Sequence, residues 1–450
     1  MKVLLISSFF PPTHTAGTEK RTLAYALGLL KLGHEVQVVC AGNWKEGEHY
    51  WNDYSDEVYQ GIRVRRIHLN WLLAPDPNRY LYCNPIVEEH LGQWVKRWTP
   101  NLVHVTSCLT LSASVIESVR KNNIPIVLTL TDFWFVCPRV NLLKGDGALC
   151  DGRTSAWDCL KCKLWDSGVY RGISSVFPES VGARILTWAS HYPHLNRLRG
   201  LRGMALNMNE RKAYLSKMLK TVDFITAPSA ALAEIIGLTH PSQNIKVVYS
   251  GHDLSWMKSL PRKKTSDVLR IAYIGQIISI KGVHTLISAI CSADIAGRAV
   301  LAIFGDQNKD LEYFHELKGF AAEHKEMVKF NGAFSHDKLG DILSEIDVLV
   351  VPSLWHENNP RVIQEAYAAK VPVVAANVAG ISEFVQHEVN GLLFERGNAD
   401  DLAKQLKRFV DEPGLLEKLE ARIQKVKSVD EEILELEAIY QELLASKTNL

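Results

Sequence analysis

The strongest constraint on how this chain folds is an alternation that runs along it twice. Short runs rich in β-branched residues, Val3 to Ile6, Val36 to Val39, Val64 to Ile67, Leu102 to Val105, Ile126 to Leu130 and Phe224 to Ala227, recur with helical patterns between them. After a break the pattern restarts with Arg270 to Ile274, Val300 to Ile303, Val328 to Phe330, Val348 to Val351, Val371 to Val374 and Leu392-Leu393. Strands separated by helices imply a mostly parallel sheet covered on both faces. The expected class is therefore α/β, with two doubly wound, Rossmann-like domains. The break follows a strand near Lys246 to Val248, where Ser250-Gly251-His252-Asp253 precedes a polar run from Pro261 to Asp267. This places the domains at residues 1–252 and 253–429.

The first crossover helix is expected between Thr18 and Leu32, with Leu23, Ala26, Leu27 and Leu30 on one face and Gly33 as its stop. A closing helix at about 430–446 carries Ile433, Leu436, Ile439, Tyr440 and Leu443 at helical spacing and is expected to pack back on the first domain. Open sheets of this kind bind ligands at the carboxyl ends of their strands. Two of them are expected to face each other across a cleft.

Composition narrows the function. With 51 Lys and Arg against 50 Asp and Glu, the formal charge of +1 offers no global field for nucleic acid. No apolar stretch approaches the roughly 18 residues of a membrane-spanning helix. Met1-Lys2-Val3-Leu4-Leu5-Ile6 ends its apolar core at Ser7, with Pro11-Pro12 close behind, and reads as a first buried strand rather than a secretion signal. The expected location is cytoplasmic, in a reducing compartment. From Tyr170 to Lys220, Arg171, Arg184, Arg197, Arg199, Arg211, Lys212 and Lys217 mix with Phe177, Trp188, Tyr192 and several leucines. That mixture suits peripheral contact with an acidic inner membrane face, or ordinary amphipathic helices packed on the first domain.

Phosphate chemistry, if present, is local. Glu357-Asn358-Asn359-Pro360 leads into Arg361-Val362-Ile363-Gln364-Glu365-Ala366, leaving a strand and opening a helix. Pro360 suits the first helical turn, and the free amides of Arg361, Val362 and Ile363 would face an anion above the helix end. Glu357 lies ahead of that helix, and Glu365 lies inside it, two turns further on. Two carboxylates beside a phosphate-sized site suit a ligand with phosphate in the middle and hydroxyls at both ends, as in a nucleotide sugar. At the first strand of the second domain, Tyr273-Ile274-Gly275-Gln276 precedes Lys281-Gly282-Val283. Lys281 at a strand end can offset leaving-group charge as a metal does elsewhere, so no catalytic metal is required. In the first domain, Gly17 sits between the first strand and helix, where its backbone can approach a ligand. Thr131-Asp132 follows the strand Ile126 to Leu130.

These residues together, with Pro372-Val373, Gly380, Glu383 and Asn390-Gly391, resemble the retaining glycosyltransferases of family 4, which have the two-domain GT-B fold. The resemblance covers nearly the whole chain. It implies that Glu357 holds hydroxyls of the donor sugar, Glu365 the nucleotide ribose, and Lys281 the diphosphate. Gly275, Gln276, Asn358, Arg361, Val362 and Ile363 would complete the donor site. Gly17 would lie against the diphosphate or acceptor, and Asp132 is assigned a polar role near the acceptor. The family has Arg where Gln276 stands, His at Thr131, and two glycines where this chain has Ala16-Gly17. The implied partners are a nucleotide diphosphate sugar and a glycan or lipid-linked acceptor, with retention and a role in envelope polysaccharide or glycolipid synthesis. An epimerase or phosphorylase on the same plan, and a non-catalytic nucleotide-sugar binder, remain alternatives.

One feature is not demanded by such a fold. Cys137, Cys150, Cys159 and Cys162 fall within an insertion at 133–220 that also carries Gly145, Gly147 and Gly152. Four thiols at this spacing fit a tetrahedral structural zinc site, with an iron–sulfur cluster, a disulfide pair or unligated thiols as the alternatives. A closed site of four sulfurs would staple the loop and not catalyse. Cys40, Cys83, Cys108 and Cys291 stand alone and are expected in the core.

Overall fold

In a computed structural model, residues 1–165, 167–168, 176, 180–181, 184, 188, 201–261, 266–292 and 294–448 are described. They divide into two compact units. One takes residues up to 228, 232–249 and the stretch from 430; the other takes residues 229–231 and 250–429. Much of the basic and aromatic stretch, including Arg171, Phe177, Tyr192 and Arg197, lies outside the described residues, as does most of the polar run after Pro261.

The first unit is built on strands β1 (Lys2–Ile6), β2 (Glu35–Ala41), β3 (Trp51–Tyr59), β4 (Ile62–Leu69), β5 (Leu102–Val105), β6 (Ile126–Thr129), β7 (Phe224–Ala227) and β8 (Ile245–Val247). Their order across the sheet is β3-β4-β2-β1-β5-β6-β7-β8. Strands β1, β5 and β6 are buried along their whole length apart from Lys2, as expected where helices cover both faces. All pairs are parallel except β3 with β4, which run antiparallel with Tyr59 opposite Ile62. Strand β3, Trp-Asn-Asp-Tyr-Ser-Asp-Glu-Val-Tyr, is largely exposed and was not legible as a strand because it lacks a β-branched run. Arg65 secures it. Its guanidinium makes two bonds to Asp56 at 2.7 and 2.6 Å and lies between the Tyr54 and Trp94 rings.

Helix α1 (Gly17–Lys31) buries Thr22, Tyr25, Ala26 and Leu29, with Glu19 in its first turn. Of the expected apolar face only Ala26 is fully buried; Leu23, Leu27 and Leu30 are half-buried. The reason is the second element against this helix. A Cβ on Gly28 would stand 2.5 Å from Ile433, so the C-terminal helix Val429–Thr448 packs on that flank. Ile433, Leu436, Ile439, Tyr440 and Leu443 are all buried. Polar groups pin this apolar contact. Tyr25 donates to Glu432 at 2.6 Å, and His104 pairs through Nδ1 with the Tyr440 hydroxyl at 2.5 Å and through Nε2 with Thr129 at 2.7 Å. Burial drives the His104 pKa down to about 3, which keeps the ring neutral.

The second unit repeats the plan with strands β9 (Leu269–Ile274), β10 (Ala299–Phe304), β11 (Val328–Gly332), β12 (Val348–Val351), β13 (Val373–Ala376) and β14 (Gly391–Phe394). They form an all-parallel sheet in the order β11-β10-β9-β12-β13-β14. The order reverses direction between β9 and β12, which places their carboxyl ends at a switch point.

Replacing Tyr440 with Phe would leave His104 Nδ1 buried without its partner. The expected cost is about 1–3 kcal/mol, read as a lower midpoint in urea unfolding, with the same far-ultraviolet spectrum below the transition.

Candidate active site at the strand ends of the second unit

The site grows from close backbone contacts. Strand β9 is followed by Gly275, whose N–H bonds the Phe304 carbonyl at 3.0 Å; a Cβ on Gly305 would stand 2.1 Å from the Gly275 oxygen. The chain then makes a tight turn, Ser279–Lys281, stopped by Gly282 at φ 71°. A Cβ on Gly282 would lie 2.0 Å from the Pro352 carbonyl oxygen, and Leu354 N–H bonds Ile280 O at 2.9 Å. The turn carrying Lys281 is thus locked against the loop after β12. From the other side, Glu357 N–H bonds Ala379 O at 3.1 Å, and Gly380, at φ 80°, approaches so closely that a Cβ would stand 1.5 Å from Glu357 O. Only glycine fits either position.

This scaffold brings Lys281 and Glu357 together. Lys281 Nζ lies 2.6 Å from Glu357 Oε1; the same oxygen accepts Ser353 Oγ at 2.7 Å and the Trp355 indole N–H at 2.8 Å. The Lys281 ammonium also lies 5.0 Å from the centre of the Trp355 ring. Glu357 is 9% exposed. Burial pushes its pKa up, but the Lys281 charge and the bonds from Lys281, Ser353 and Trp355 outweigh that and hold it below the usual carboxylate range. Ser353 and Trp355 were not identified from the sequence. They precede Glu357 in the same loop, and no residue pattern reports which way a loop folds.

Helix Arg361–Ala368 buries Ile363, Ala366 and Tyr367. It begins one residue later than expected. Pro360 stands outside it as the cap residue, and Glu365 sits one turn from the helix start rather than two. Ile363 N–H bonds the Pro360 carbonyl at 3.0 Å, so of the three expected amides it is already engaged; Arg361 and Val362 stand in the first turn, where an N–H has no intrahelical carbonyl to bond. Glu365 faces His336 at 3.6 Å and Arg361 at 3.9 Å. Burial pushes its pKa up, and the nearby His336 and the Arg361 charge bring it below the usual value. His336 was not anticipated either. Asn358 is half-buried beside Glu357, and Gln276 is exposed, its carbonyl accepting the Tyr273 hydroxyl at 2.7 Å.

In the first unit, Gly17 is exposed at the first position of α1, and a Cβ there would meet nothing within 4 Å. Thr131 donates to Thr106 O at 3.0 Å; Asp132 accepts Trp134 N–H at 2.8 Å. Burial pushes the Asp132 pKa up to about 6, against the Trp134 bond and the Arg211 charge. Arg211 is buried, donates to Trp134 O and faces the Trp134 ring; Lys212 donates to Thr154 O. These two basic residues serve internal packing, not an exposed cationic face.

Cys137, Cys150, Cys159 and Cys162 all line one cavity of about 330 Å³ and are free thiols. Cys159 and Cys162 share a face of the helix Ala156–Leu164, whose start is capped reciprocally by Ser155 and Asp158. Cys150 Sγ accepts Gly152 N–H at 3.4 Å, and Thr154 Oγ1 lies 3.1 Å from Cys159 Sγ. Among the described residues no group of three or more His, Cys, Asp or Glu stands arranged to hold a metal ion. Of the solitary cysteines, Cys40 and Cys108 are buried, whereas Cys83 and Cys291 are half-buried.

Two Rossmann-like units, with a lysine–carboxylate pair at the switch point of the second, define a glycosyltransferase of the GT-B class. Family models agree over both units: "Glycosyl transferase 4-like domain" matches residues 16–157 and "Glycosyl transferases group 1" matches residues 256–426. An uncharacterized glycosyltransferase of Methanocaldococcus jannaschii is 27% identical over 437 residues, covering 93% of this chain and 91% of that protein. Among solved structures, sucrose-phosphate synthase from Thermosynechococcus elongatus superposes with a TM-score of 0.66 at 18% identity, over 99% of both chains. Anabaena HepE in complex with UDP and glucose gives 0.61 at 16% identity, over 98% of this chain and 99% of that one. The chain belongs to the family 4 type of glycosyltransferases.

Gly380→Ala should force the Glu357 backbone away from its present position. The expected result is a folded protein whose sugar-transfer rate falls by about 10²-fold, the cost of a small misplacement of reacting groups; steady-state transfer kinetics beside a thermal melt check this.

Proposed function

We propose that the protein transfers a glycosyl group from a nucleotide diphosphate sugar, held by the second unit, to an acceptor hydroxyl held by the first. The observation that carries this reading is the Lys281–Glu357 pair, a cation and a carboxylate side by side at the strand ends. The cation suits a departing diphosphate and the carboxylate suits sugar hydroxyls. In that role Lys281 turns from Glu357 to the diphosphate as charge develops, with the first amides of the helix at Arg361 and Val362 behind it and Glu365 on the ribose. Catalysis needs no metal on this reading. Retention of configuration is carried over from the family resemblance, and Glu357 is assigned as an orienting group.

UDP-sugars are the first donors to test, because Anabaena HepE is described in complexes with UDP and UDP-glucose. The acceptor proposed is a glycan or lipid-linked chain in envelope polysaccharide or glycolipid synthesis, reached in the cytoplasm or at the inner membrane face. Asp132 is assigned to the acceptor side, and Gly17 to the diphosphate or the acceptor. Among the described residues no helix is long and apolar enough to cross a membrane.

A panel of UDP-, GDP- and ADP-sugars in a thermal-shift assay should show stabilisation by one base, about 2.7 kcal/mol at 100 times the dissociation constant. With that donor, Lys281→Ala should cost about 10²- to 10³-fold in turnover and weaken nucleotide binding. Turnover equal to wild type in a folded Lys281→Ala protein would overturn the assignment.

We also propose that Cys137, Cys150, Cys159 and Cys162 take a structural zinc ion. Support comes from their shared cavity, from the Gly152 N–H on the Cys150 sulfur and from the Thr154 hydroxyl beside that of Cys159. The thiols would draw together around the ion and release their protons, and the buried Arg211 would offset part of the resulting charge. Protein purified without chelator should carry about one zinc per chain; metal analysis of Cys159→Ser should show it lost, with a lower melting temperature.

A further inference from the structure

We propose that Trp355 is a positioning residue of this site, holding Glu357 through its indole N–H and Lys281 against its ring face so that one carboxylate oxygen stays free for the donor sugar. The inference rests on the sugar-transfer reading above for what the free oxygen receives, but not for the geometry. All three hydrogen bonds to the Glu357 side chain, from Lys281, Ser353 and Trp355, end on Oε1. Among the described residues none reaches Oε2. A carboxylate bonded on one oxygen only can still swing about its terminal torsion. Three donors arriving from different directions remove that freedom, and Oε2 then points in one fixed direction, as an acceptor for a hydroxyl.

Of the three donors, Trp355 is the one suited to a permanent role. Lys281 must leave the carboxylate when it follows the diphosphate, and a serine hydroxyl rotates. The indole N–H is rigid, cannot turn away and cannot accept a proton. Trp355 also lies beneath the ammonium, 5.0 Å from ring centre to Nζ, so it offers Lys281 a resting surface close to the pair. Its own loop is tethered at the neighbouring residue: Leu354 N–H bonds Ile280 O, and Arg396 donates to Leu354 O at 3.0 Å. The charged and titratable groups that bear on Glu357 are Lys281, from the turn before Gly282, and Tyr273, from β9.

Trp355→Phe keeps the ring and removes the N–H, whereas Trp355→Leu removes both. The Glu357 titration is followed by carbon NMR on protein labelled at the glutamate carboxyl carbons, with the Glu357 signal assigned by its loss in Glu357→Gln. This reading needs no donor. In Trp355→Phe the Glu357 midpoint should rise, because one bond to the charged form is lost, while the melting temperature stays close to wild type. With a donor in hand, kcat should fall roughly tenfold with little change in donor KM, and the acid limb of the pH–rate profile should move to higher pH. Trp355→Leu should show a larger fall. An unmoved Glu357 midpoint in folded Trp355→Phe overturns the proposal. So does a fall in melting temperature with no change in the midpoint, which is what a packing role alone would give. If the wild type turns over no nucleotide sugar, the transfer reading falls, and the titration still decides the role of Trp355.

Discussion

The candidate site depends on an ion pair whose carboxylate, on Glu357, is buried and whose ammonium, on Lys281, is half-buried. Drawing such charges away from water is costly, and their attraction offsets this only with good geometry and further hydrogen bonds. Both conditions are met by Ser353, Trp355 and the 2.6 Å separation. Stability alone does not explain such a pair, since apolar residues of similar volume would serve a core as well. On the proposed function, a partner that can exchange Glu357 for a diphosphate would explain it. The pair would then be a charge held ready, with little reorganisation left when the leaving group departs.

That geometry exists because backbone is allowed to touch backbone. Gly282 against Pro352 and Gly380 against Glu357 are contacts that a single methyl group would break, and each clamps the Glu357 loop from a different side. The sheet order explains why the clamps sit here. Strands β9 and β12 are neighbours, and the connections leaving them diverge, so their loops meet at the point where the order reverses. Topology thus supplies the place, glycine the approach, and the polar side chains the chemistry.

Much of this was legible in the sequence, and the parts that were not have a common cause. The strands were visible because burial on both faces demands continuous β-branched runs, as in Val348–Val351. Edge strand β3, exposed and held by Arg65 rather than by a core, has no such demand on its composition and left no signal. The same division holds at the site. Lys281, Glu357 and Glu365 stand in a motif whose spacing is tied to a turn and a helix start. Ser353 and Trp355 act within one irregular loop, whose path no periodicity encodes, and His336 acts through tertiary contact. The apolar face of α1 was misplaced for a related reason: a helix packed on one side by a sheet and on another by the helix Val429–Thr448 buries two stripes, and the sequence shows only their sum.

The first unit treats polar groups in the opposite way. His104, at the centre of its sheet, is fully buried, uncharged and satisfied on both ring nitrogens by the Tyr440 and Thr129 hydroxyls. Here the low dielectric enforces neutrality, and the reward is specificity: only the tail helix in its present register brings Tyr440 to His104 and Glu432 to Tyr25. An apolar seam of Ile433, Leu436, Ile439 and Leu443 would tolerate a slip of one turn, whereas two buried polar pairs would both be broken by it. The chain therefore uses buried polarity for two ends. In the second unit, on the proposed function, it would keep a charge available, and in the first it fixes where the helix Val429–Thr448 lies.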